Sequence, residues 1–195
     1  QGLDIRYLIV GDDFRYGCDR KGDFGHLEAM GDLHGFEVCD TQTVLMQKER
    51  ISSTRIRQAL AADQMVEAER MLGRPFTMIG RVVKGQQLGR TLGFPTANIR
   101  MCRRQLPLKG VFAVRTLVNG HRFNGVANLG VRPSVSGTRP LLEVHMLDFK
   151  GDLYDQTLRV EFVDKIRDEQ KFQSLEALRV AIANDIEKAR RRFAS

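Results

Sequence analysis

Three glycines spaced four residues apart lead into a short run of oxygen-bearing side chains near the middle of the chain. Gly85, Gly89 and Gly93 stand in the segment GRVVKGQQLGRTLGFPTAN, which ends with Thr96 and Asn98. Glycine permits positive φ and lets backbone N–H groups approach a polyphosphate that a side chain would obstruct. A threonine hydroxyl and an asparagine amide oxygen are hard neutral ligands that Mg²⁺ accepts beside water and phosphates. The segment therefore indicates a phosphate and metal site.

An ordinary surface loop interrupted by glycines is the alternative, and the spacing alone favours it. The segment contains no GxxxxGK[ST] and no GxGxxG after a strand, so it is neither a Walker A loop nor a dinucleotide-binding fingerprint. Pro95 fixes the backbone just before Thr96, which predicts a rigid turn from Pro95 to Asn98.

A second candidate is Glu143, in the apolar segment LLEVHML. Strand alternation places Leu142, Val144 and Met146 on one face and Glu143 and His145 on the other. A solvent-facing carboxylate on a half-buried strand is the alternative, and the residues alone favour it. A carboxylate within hydrogen-bond reach of a primary hydroxyl could also orient that hydroxyl and accept its proton during phosphoryl transfer.

Charge divides the 195 residues into unlike halves. Residues 1–73 hold nine Lys/Arg against thirteen Asp/Glu, a net charge of −4, whereas residues 74–195 hold twenty-two against eleven, a net charge of +11. With 42% hydrophobic residues, the chain can form two well-packed domains, and we predict the boundary after Gly73. A basic half suits either nucleic acid or a nucleotide triphosphate pocket. The absence of Trp and of aromatics interleaved with Lys/Arg argues against a barrel that binds single-stranded nucleic acid.

The composition also bears on the compartment. No apolar run approaches the length of a membrane helix, and the N-terminus has no signal-peptide pattern, so we expect a soluble protein without a membrane partner. Cys18, Cys39 and Cys102 are odd in number and form no CxxC, which argues against a disulfide framework and a zinc ribbon. A reducing cytoplasm fits this pattern best. The sequence does not predict the oligomeric state.

The first half has the pattern of an incomplete α/β domain. The predicted elements are strands at Tyr7–Val10 and Phe36–Asp40 and helices at His26–His34, Thr54–Leu60 and Met65–Leu72. Ser52 or Ser53 is a natural N-cap, and Gly73 ends the last helix. Two strands would leave sheet faces bare, so we expect that residues preceding Gln1 are missing.

The second half is rich in strands. The predicted strands are Phe76–Val83, Val111–Val118, Arg122–Ala127, Leu141–Phe149 and Thr157–Val163. Asn119-Gly120 predicts a hairpin, and the absence of intervening helices predicts an antiparallel barrel or sandwich. Apolar residues recur at helical spacing from Ser174 to Phe193, with Ser174 as the N-cap, so a final helix is expected to pack across the barrel.

The motif GxxxGRxLGFPTAN, followed later by LEVHMLDF, resembles the riboflavin kinase module of the bacterial bifunctional FAD synthetases. The resemblance implies transfer of the γ-phosphoryl group of ATP to the riboflavin 5′-hydroxyl, giving FMN and ADP. It implies that Glu143 is the base and that Thr96 and Asn98 hold Mg²⁺ and the phosphates. The residues that it implies around the triphosphate are Lys84, Gly85, Gly89 and Gly93.

Two further segments resemble parts of the same family. GVANLGVRPS, residues 125–134, resembles its second flexible loop, and IRDEQKF, residues 166–172, resembles its flavin-contacting turn. Ordinary polar loops are equally compatible with the composition. In the resemblance, Phe172 lies against the isoalloxazine ring while Arg167 and Glu169 offer hydrogen bonds to its polar edge.

The first half resembles the carboxy-terminal part of the FMN adenylyltransferase domain of that family. GDDFRYG at 11–17 matches its GxDFRFG loop, with Tyr16 in place of the usual Phe, and ISSTRIR at 51–57 matches its ISSTxIR segment. The resemblance implies nucleotide-binding roles for Asp13, Phe14, Ser52, Ser53 and Arg57; a plain capped helix at 51–57 is the alternative.

Together the two halves predict an α+β chain. A partial α/β Rossmann-like nucleotidyltransferase domain, residues 1–73, precedes an antiparallel Greek-key β-barrel with a C-terminal helix, residues 74–195. The HxGH motif of the family's adenylyltransferase is absent from the 195 residues, so the expected activity is the kinase step, with FAD formation lost. The expected small molecules are ATP, Mg²⁺, riboflavin and FMN, with no nucleic acid partner.

Overall fold

The computed structural model describes residues 4–11, 13–41, 43–85, 87–101, 106–134 and 137–194, with side chains described throughout except at 132–134 and 137–139. The chain divides into two compact units, Gln1–Ser52 and Ser53–Ser195. Within the described ranges, none of the helices has both the length and the apolarity that a membrane crossing requires.

The first unit contains a parallel pair of strands and one helix. Strand β1 (Tyr7–Gly11) pairs with β2 (Glu37–Thr41), and α1 (Phe24–His34) connects them. Asp23 begins the helix by accepting a hydrogen bond from the His26 N–H, and Gly35 ends it in the left-handed region. The short strands β3 (Leu45–Met46) and β4 (Glu49–Arg50) form a hairpin. The predicted strand, helix and strand of this region are confirmed.

Two helices open the second unit. Both α2 (Ser53–Ala61) and α3 (Met65–Leu72) are confirmed, and Gly73 ends α3 at φ 68°. The two helices pack on each other, Leu60 of α2 and Ala68 of α3 are buried, and α3 contacts the last strand of the barrel. The compact units therefore divide before these helices, earlier than the predicted boundary after Gly73.

Within the described residues, six strands close into an antiparallel barrel in the order β10-β5-β6-β9-β8-β7. The strands are β5 (Thr77–Val83), β6 (Ala97–Arg100), β7 (Gly110–Val118), β8 (His121–Ser134), β9 (Gly137–Met146) and β10 (Thr157–Arg167). β6 pairs with β9 instead of with its sequence neighbour β7, which is a Greek-key connection. The interior is apolar, and its fully buried side chains include Val82, Ile99, Leu129, Leu142 and Phe162.

Two sequence predictions in this region were wrong. The segment from Pro95 to Asn98 is not one turn, because Ala97 and Asn98 belong to β6; Ala97 pairs with β9, and Asn98 pairs with both β5 and β9. Residues 125–134 are not a loop, because β8 continues through them and pairs with β9 as far as Ser134. In both places pairing with a neighbouring strand overrides local turn signals.

The final helix, α5 (Leu175–Ala194), packs on the outer face of the barrel as predicted. The Ser174 hydroxyl caps it by accepting a hydrogen bond from the Ala177 N–H, 3.1 Å away. Its Ala189 is fully buried against Val126 of β8 and Val111 of β7. A short helix, α4 (Leu88–Thr91), was not predicted. It lies between β5 and β6, in the segment that carries Gly85, Gly89 and Gly93, hereafter the glycine segment.

Candidate active site

A carboxylate lies between two amide side chains across three neighbouring strands. Asn98 on β6 is directly opposite Glu143 on β9, and Glu143 is directly opposite Asn128 on β8. Residues paired in this way have Cβ atoms about 4.5–5.5 Å apart. Leu142 and Val144, the sequence neighbours of Glu143, are buried inside the barrel, so alternation directs Glu143 outwards. The structure thus brings Glu143 and Asn98 together.

Two glycines lie directly over the predicted metal ligands. A Cβ added to Gly85 would overlap the side-chain amide of Asn98, with its Cγ and Oδ1 atoms 2.5 and 2.6 Å away. A Cβ added to Gly89 would overlap the Phe94 carbonyl oxygen and would lie 3.2 Å from the Thr96 Oγ1 atom. The glycine segment therefore makes room for Asn98 and Thr96 specifically.

The three glycines differ in the reason for which they are required. Among the three, Gly93 has a positive φ, at 88°. Gly85 and Gly89 are required by close approach to other groups. The conformational freedom of glycine is therefore used at Gly93, and its lack of a side chain is used at Gly85 and Gly89.

Some backbone N–H groups of the segment predicted to bind phosphate already donate hydrogen bonds within that segment. The N–H groups of residues 90–94 donate to carbonyl oxygens of residues 87–90, including a 2.7 Å bond from Phe94 to Gly89. A phosphate can therefore use the backbone of residues 84, 85 and 87–89, next to the exposed Lys84 side chain, without breaking these bonds. Gln86 lies outside the described residues.

A cavity of about 320 Å³, hereafter the larger cavity, lies between the outer face of the barrel and the first turns of α5. Glu143 and Asn128 come from the barrel, Thr96 from the glycine segment, and Leu178 and Ile182 from α5. The walls are mainly apolar, and the Glu143 carboxylate and the Asn128 amide come from directly opposed positions of neighbouring strands. Such a combination is typical of a small-molecule site.

A smaller cavity of about 100 Å³ adjoins the same segment. Its lining includes Arg90, Pro95, Asp152 and Tyr154, together with Thr96. Thr96 is therefore shared by the smaller and the larger cavity.

A buried ion pair forms one wall of the larger cavity. The Arg167 Nε and Nη2 atoms donate to both carboxylate oxygens of Asp185 at 2.7–3.1 Å, and the Asp185 side chain is only 4% exposed. Arg167 Nη1 also donates to the Asp168 carbonyl oxygen at 3.0 Å, and the guanidinium lies 5.5 Å from the Phe172 ring centre. This arrangement fixes the position of Phe172 beside the cavity.

Two family models match separate parts of this chain. Residues 72–193 match the riboflavin kinase family model. This chain belongs to the riboflavin kinase family. Residues 1–55 separately match the FAD synthetase family.

The relatives of this riboflavin kinase family member are longer proteins, and their names give a second activity beside the kinase. A bifunctional riboflavin kinase/FMN adenylyltransferase of Pseudomonas fluorescens is 53% identical over 190 residues, covering 97% of this chain and 61% of that protein. The protein of the same name from Haemophilus influenzae is 48% identical over 194 residues, covering 99% and 63%. The chain thus spans about three fifths of the length of these relatives. The alternative of a nucleic-acid-binding barrel receives no support from these matches.

A solved structure shares the fold of this chain. It is described as a macrolide-efflux protein from Streptococcus pneumoniae and aligns with a TM-score of 0.74 at 35% identity. The alignment covers 93% of this chain and 60% of that one.

Within the riboflavin kinase domain, Arg167 lines the larger cavity, and three of its five N–H groups are directed at Asp185 and the Asp168 carbonyl. A hydrogen bond from Arg167 to a ligand stays a prediction. Glu169 and Phe172 do line the larger cavity, and the Glu169 carboxylate contacts Gly130, where any side chain would overlap it.

Sequence reasoning missed Asn128 and Asp185, which both line the larger cavity. The Asn128 Oδ1 atom is buried and has no hydrogen-bond partner among the described residues. A buried amide oxygen without a partner costs free energy, which a hydrogen-bond donor from a ligand would recover. Reading residues 125–134 as a strand beside the Glu143 strand would have revealed Asn128. Asp185 has no comparable local signal.

The chemistry of the available oxygen atoms decides whether the site fits the Mg²⁺ that the riboflavin kinase family implies. No cluster of three or more His, Cys, Asp and Glu side chains suited to a metal occurs in the described part of the chain. Thr96 and Asn98 supply neutral oxygens, and Asn98 is only 8% exposed. These residues fit an ion that arrives with phosphate oxygens and water as its other ligands.

The predicted adenylyltransferase residues fall on both sides of the unit boundary. Asp13, Phe14 and Ser52 belong to the first unit, whereas Ser53 and Arg57 belong to the second. Asp13 lies 3.2 Å from an Arg50 nitrogen atom. A nucleotide-binding role for these five residues stays a prediction, and Asp12 of the same loop lies outside the described residues.

Proposed function

We propose that this chain transfers the γ-phosphoryl group of ATP to the 5′-hydroxyl of riboflavin, giving FMN and ADP. The observation that carries the proposal is the placement of Glu143 between Asn98 and Asn128, on the side of the larger cavity nearest to the glycine segment. A carboxylate in this position can hold an alcohol and accept its proton.

The larger cavity suits the vitamin. Its volume of about 320 Å³ falls within the usual range for small-molecule sites, and its walls include Phe172, Leu178 and Ile182. The isoalloxazine ring packs among these apolar side chains, while the ribityl chain extends towards Glu143. The Asn128 Oδ1 atom accepts a hydrogen bond from the bound vitamin.

The glycine segment receives the nucleotide. Lys84 and the backbone at Gly85 and Gly89 face the triphosphate, while Thr96 and Asn98 hold Mg²⁺. When bound, Mg²⁺ neutralises phosphate oxygens and orients the γ-phosphoryl group. The smaller cavity, at about 100 Å³, lies below the usual volume of ligand sites, so it holds only part of the nucleotide.

We assign only the kinase step to these 195 residues. The match of residues 1–55 to FAD synthetase suggests that a longer protein of this type also converts FMN to FAD. The HxGH motif of that second activity does not occur in the sequence, so we expect no FAD from this chain.

The free thiols of Cys18 and Cys39 support a reducing cytoplasm, and Cys102 lies outside the described residues.

The test is an assay of the purified chain with riboflavin, Mg²⁺ and ATP labelled at the γ-phosphate. Label should appear in FMN, and Glu143→Gln should lower the rate by about 10²- to 10⁴-fold, because the amide cannot accept the proton. Glu187→Gln, at an exposed position of α5, is the matched control and should retain the wild-type rate. Absence of labelled FMN, or an undiminished rate with Glu143→Gln, would overturn the proposal.

A further inference from the structure

Lys165, near the end of β10, contacts carboxylates from two separate parts of the second unit. Its Nζ atom lies 2.6 Å from Asp63 Oδ2 and 2.6 Å from Asp168 Oδ1. The Lys165 side chain is only 17% exposed. One cation shared by two acids at hydrogen-bond distance forms a small network, which constrains side chains more than an isolated surface pair does.

An irregularity in β10 lets Lys165 and Arg167 contact different elements. Residues two apart on a regular strand point to the same face. Here the register shifts between Lys165 and Arg167, and Lys165 pairs with the helix connection at Asp63 whereas Arg167 pairs with Asp185 on α5. The strand thus ends with one cation bound to each side.

The two cations hold Asp168 at two points. Its carboxylate contacts Lys165, and its carbonyl oxygen accepts a hydrogen bond from Arg167. Asp168 is directly followed by Glu169, Gln170 and Phe172, which line the larger cavity. The position of Asp168 therefore sets the start of that wall.

The other partner, Asp63, is a fixed point between α2 and α3. It has φ 60°, donates its N–H to the Leu60 carbonyl at 3.2 Å and accepts from the Met65 N–H at 3.0 Å. The aliphatic stem of Lys165 also packs closely, since a Cβ added to Gly110 would lie 2.9 Å from its Cε atom. The connection from Asp63 to Asp168 is therefore short and well packed.

We propose that Lys165 is a positioning residue for the riboflavin site, which it serves by anchoring residues 168–172 to the connection between α2 and α3. The inference rests on the proposed function. Lys165 contacts neither cavity, so it acts through Asp168 on Glu169 and Phe172. Loss of the anchor loosens the riboflavin wall and leaves the nucleotide side unchanged.

The charge of the anchor is permanent at physiological pH. Partial burial lowers the pKa of Lys165, but the hydrogen bonds to Asp168 and Asp63 outweigh that effect and raise the pKa above its ordinary value of 10.5. The anchor therefore does not switch within the physiological range.

The test compares steady-state kinetics for both substrates. Lys165→Met should raise the KM for riboflavin by about tenfold and leave the KM for ATP within about twofold, because misplaced binding groups weaken only the substrate that they contact. Asp63→Asn should have a smaller effect in the same direction, and Lys165→Arg should restore most of the affinity. Lys188→Met, at an exposed position on α5, is the control.

Amide hydrogen exchange at residues 168–172 provides a readout without turnover. Exchange there should be faster in Lys165→Met and Asp63→Asn than in the wild type and the control. Equal exchange in all four proteins would overturn the inference, as would equal increases in both KM values. A wild-type chain that makes no FMN would instead overturn the proposed function, and the exchange data would still decide the role of Lys165.

Discussion

The two sides of the candidate active site are built in opposite ways. On the nucleotide side, Gly85 and Gly89 provide space for the neutral side chains of Asn98 and Thr96. On the riboflavin side, Arg167 and Asp185 fill the wall as a buried ion pair, and Phe172 packs beside it. One side is shaped by the absence of side chains and the other by side chains that satisfy each other.

This difference matches the chemistry of the two proposed substrates. A triphosphate with Mg²⁺ brings its own charge, and neutral oxygens can bind it and release it without a fixed opposite charge. The riboflavin ring is uncharged, and the charges of Arg167 and Asp185 in its wall cancel each other, so this pair presents no net charge to the ring. On the nucleotide side, the close approach of the Gly85 and Gly89 backbone to Asn98 and Thr96 shapes the site. On the riboflavin side, the ion pair between Arg167 and Asp185 shapes it.

The largest expected effect comes from breaking the pair on the riboflavin side. Asp185→Ala should lower the free energy of unfolding by about 3–5 kcal/mol, because Arg167 is left partly buried without its carboxylate. Denaturation in urea measures the change. The control is Asp148→Ala, which removes an exposed two-point pair with Arg190 and should leave the midpoint close to the wild type. Similar midpoints for the two variants would show that burial of the wall pair is unimportant.

The next effect concerns the nucleotide side. Gly85→Ala should lower kcat/KM for ATP by about 100-fold, because its Cβ displaces the Asn98 amide. The free energy of unfolding should change much less than in Asp185→Ala. Gly25→Ala, where the nearest atom to the added Cβ is 3.7 Å away, is the control. Wild-type kinetics with Gly85→Ala would mean that the position of Asn98 is not critical.

A smaller and more selective effect is expected at Asn128, between the two sides. Asn128→Ala should raise the Kd for riboflavin by about tenfold, since one hydrogen bond to the ligand is lost. The unfolding free energy should not fall, because the buried Oδ1 atom has no hydrogen-bond partner within the part of the chain that the structure describes. Titration by flavin fluorescence and thermal unfolding measure the two quantities. Asn124→Ala, exposed on the same strand, is the control, and a destabilised variant with unchanged riboflavin binding would contradict the proposal.

The smallest effect is a dependence on alkaline pH. The pKa of Lys165 is raised in the folded protein, so its stabilising effect is complete below the unfolded value of about 10.5 and is lost as pH rises through the folded value. Wild type should therefore lose stability above pH 10.5 more steeply than Lys165→Met. Urea midpoints measured on either side of that pH test the slope, and parallel curves would contradict it.

Local signals were sufficient for several elements of the fold. Ser174 and the apolar spacing after it predicted α5 and its cap. Asn119 and Gly120 predicted the hairpin between β7 and β8, and both have positive φ. Strand alternation placed Glu143 on the outer face. Each of these features depends on residues close together in sequence.

The failures depend on distant contacts. Pro95 and Thr96 are local turn signals, and only pairing with β5 and β9 makes Asn98 part of a strand. Asp185 looks like any polar residue of an amphipathic helix until Arg167 is found 18 residues away in sequence. The sequence periodicity of one strand does not identify the strand with which it pairs. The proximity of Glu143 to Asn98 was therefore expected from the family resemblance and not from periodicity.

Thr96 lines both cavities, and that position has an evolutionary consequence. A replacement chosen to accept a bulkier alcohol would alter the nucleotide compartment at the same time. Mutations that broaden the choice of vitamin analogue should therefore accumulate first on α5 and β8, where one substrate can be accommodated without penalising the other.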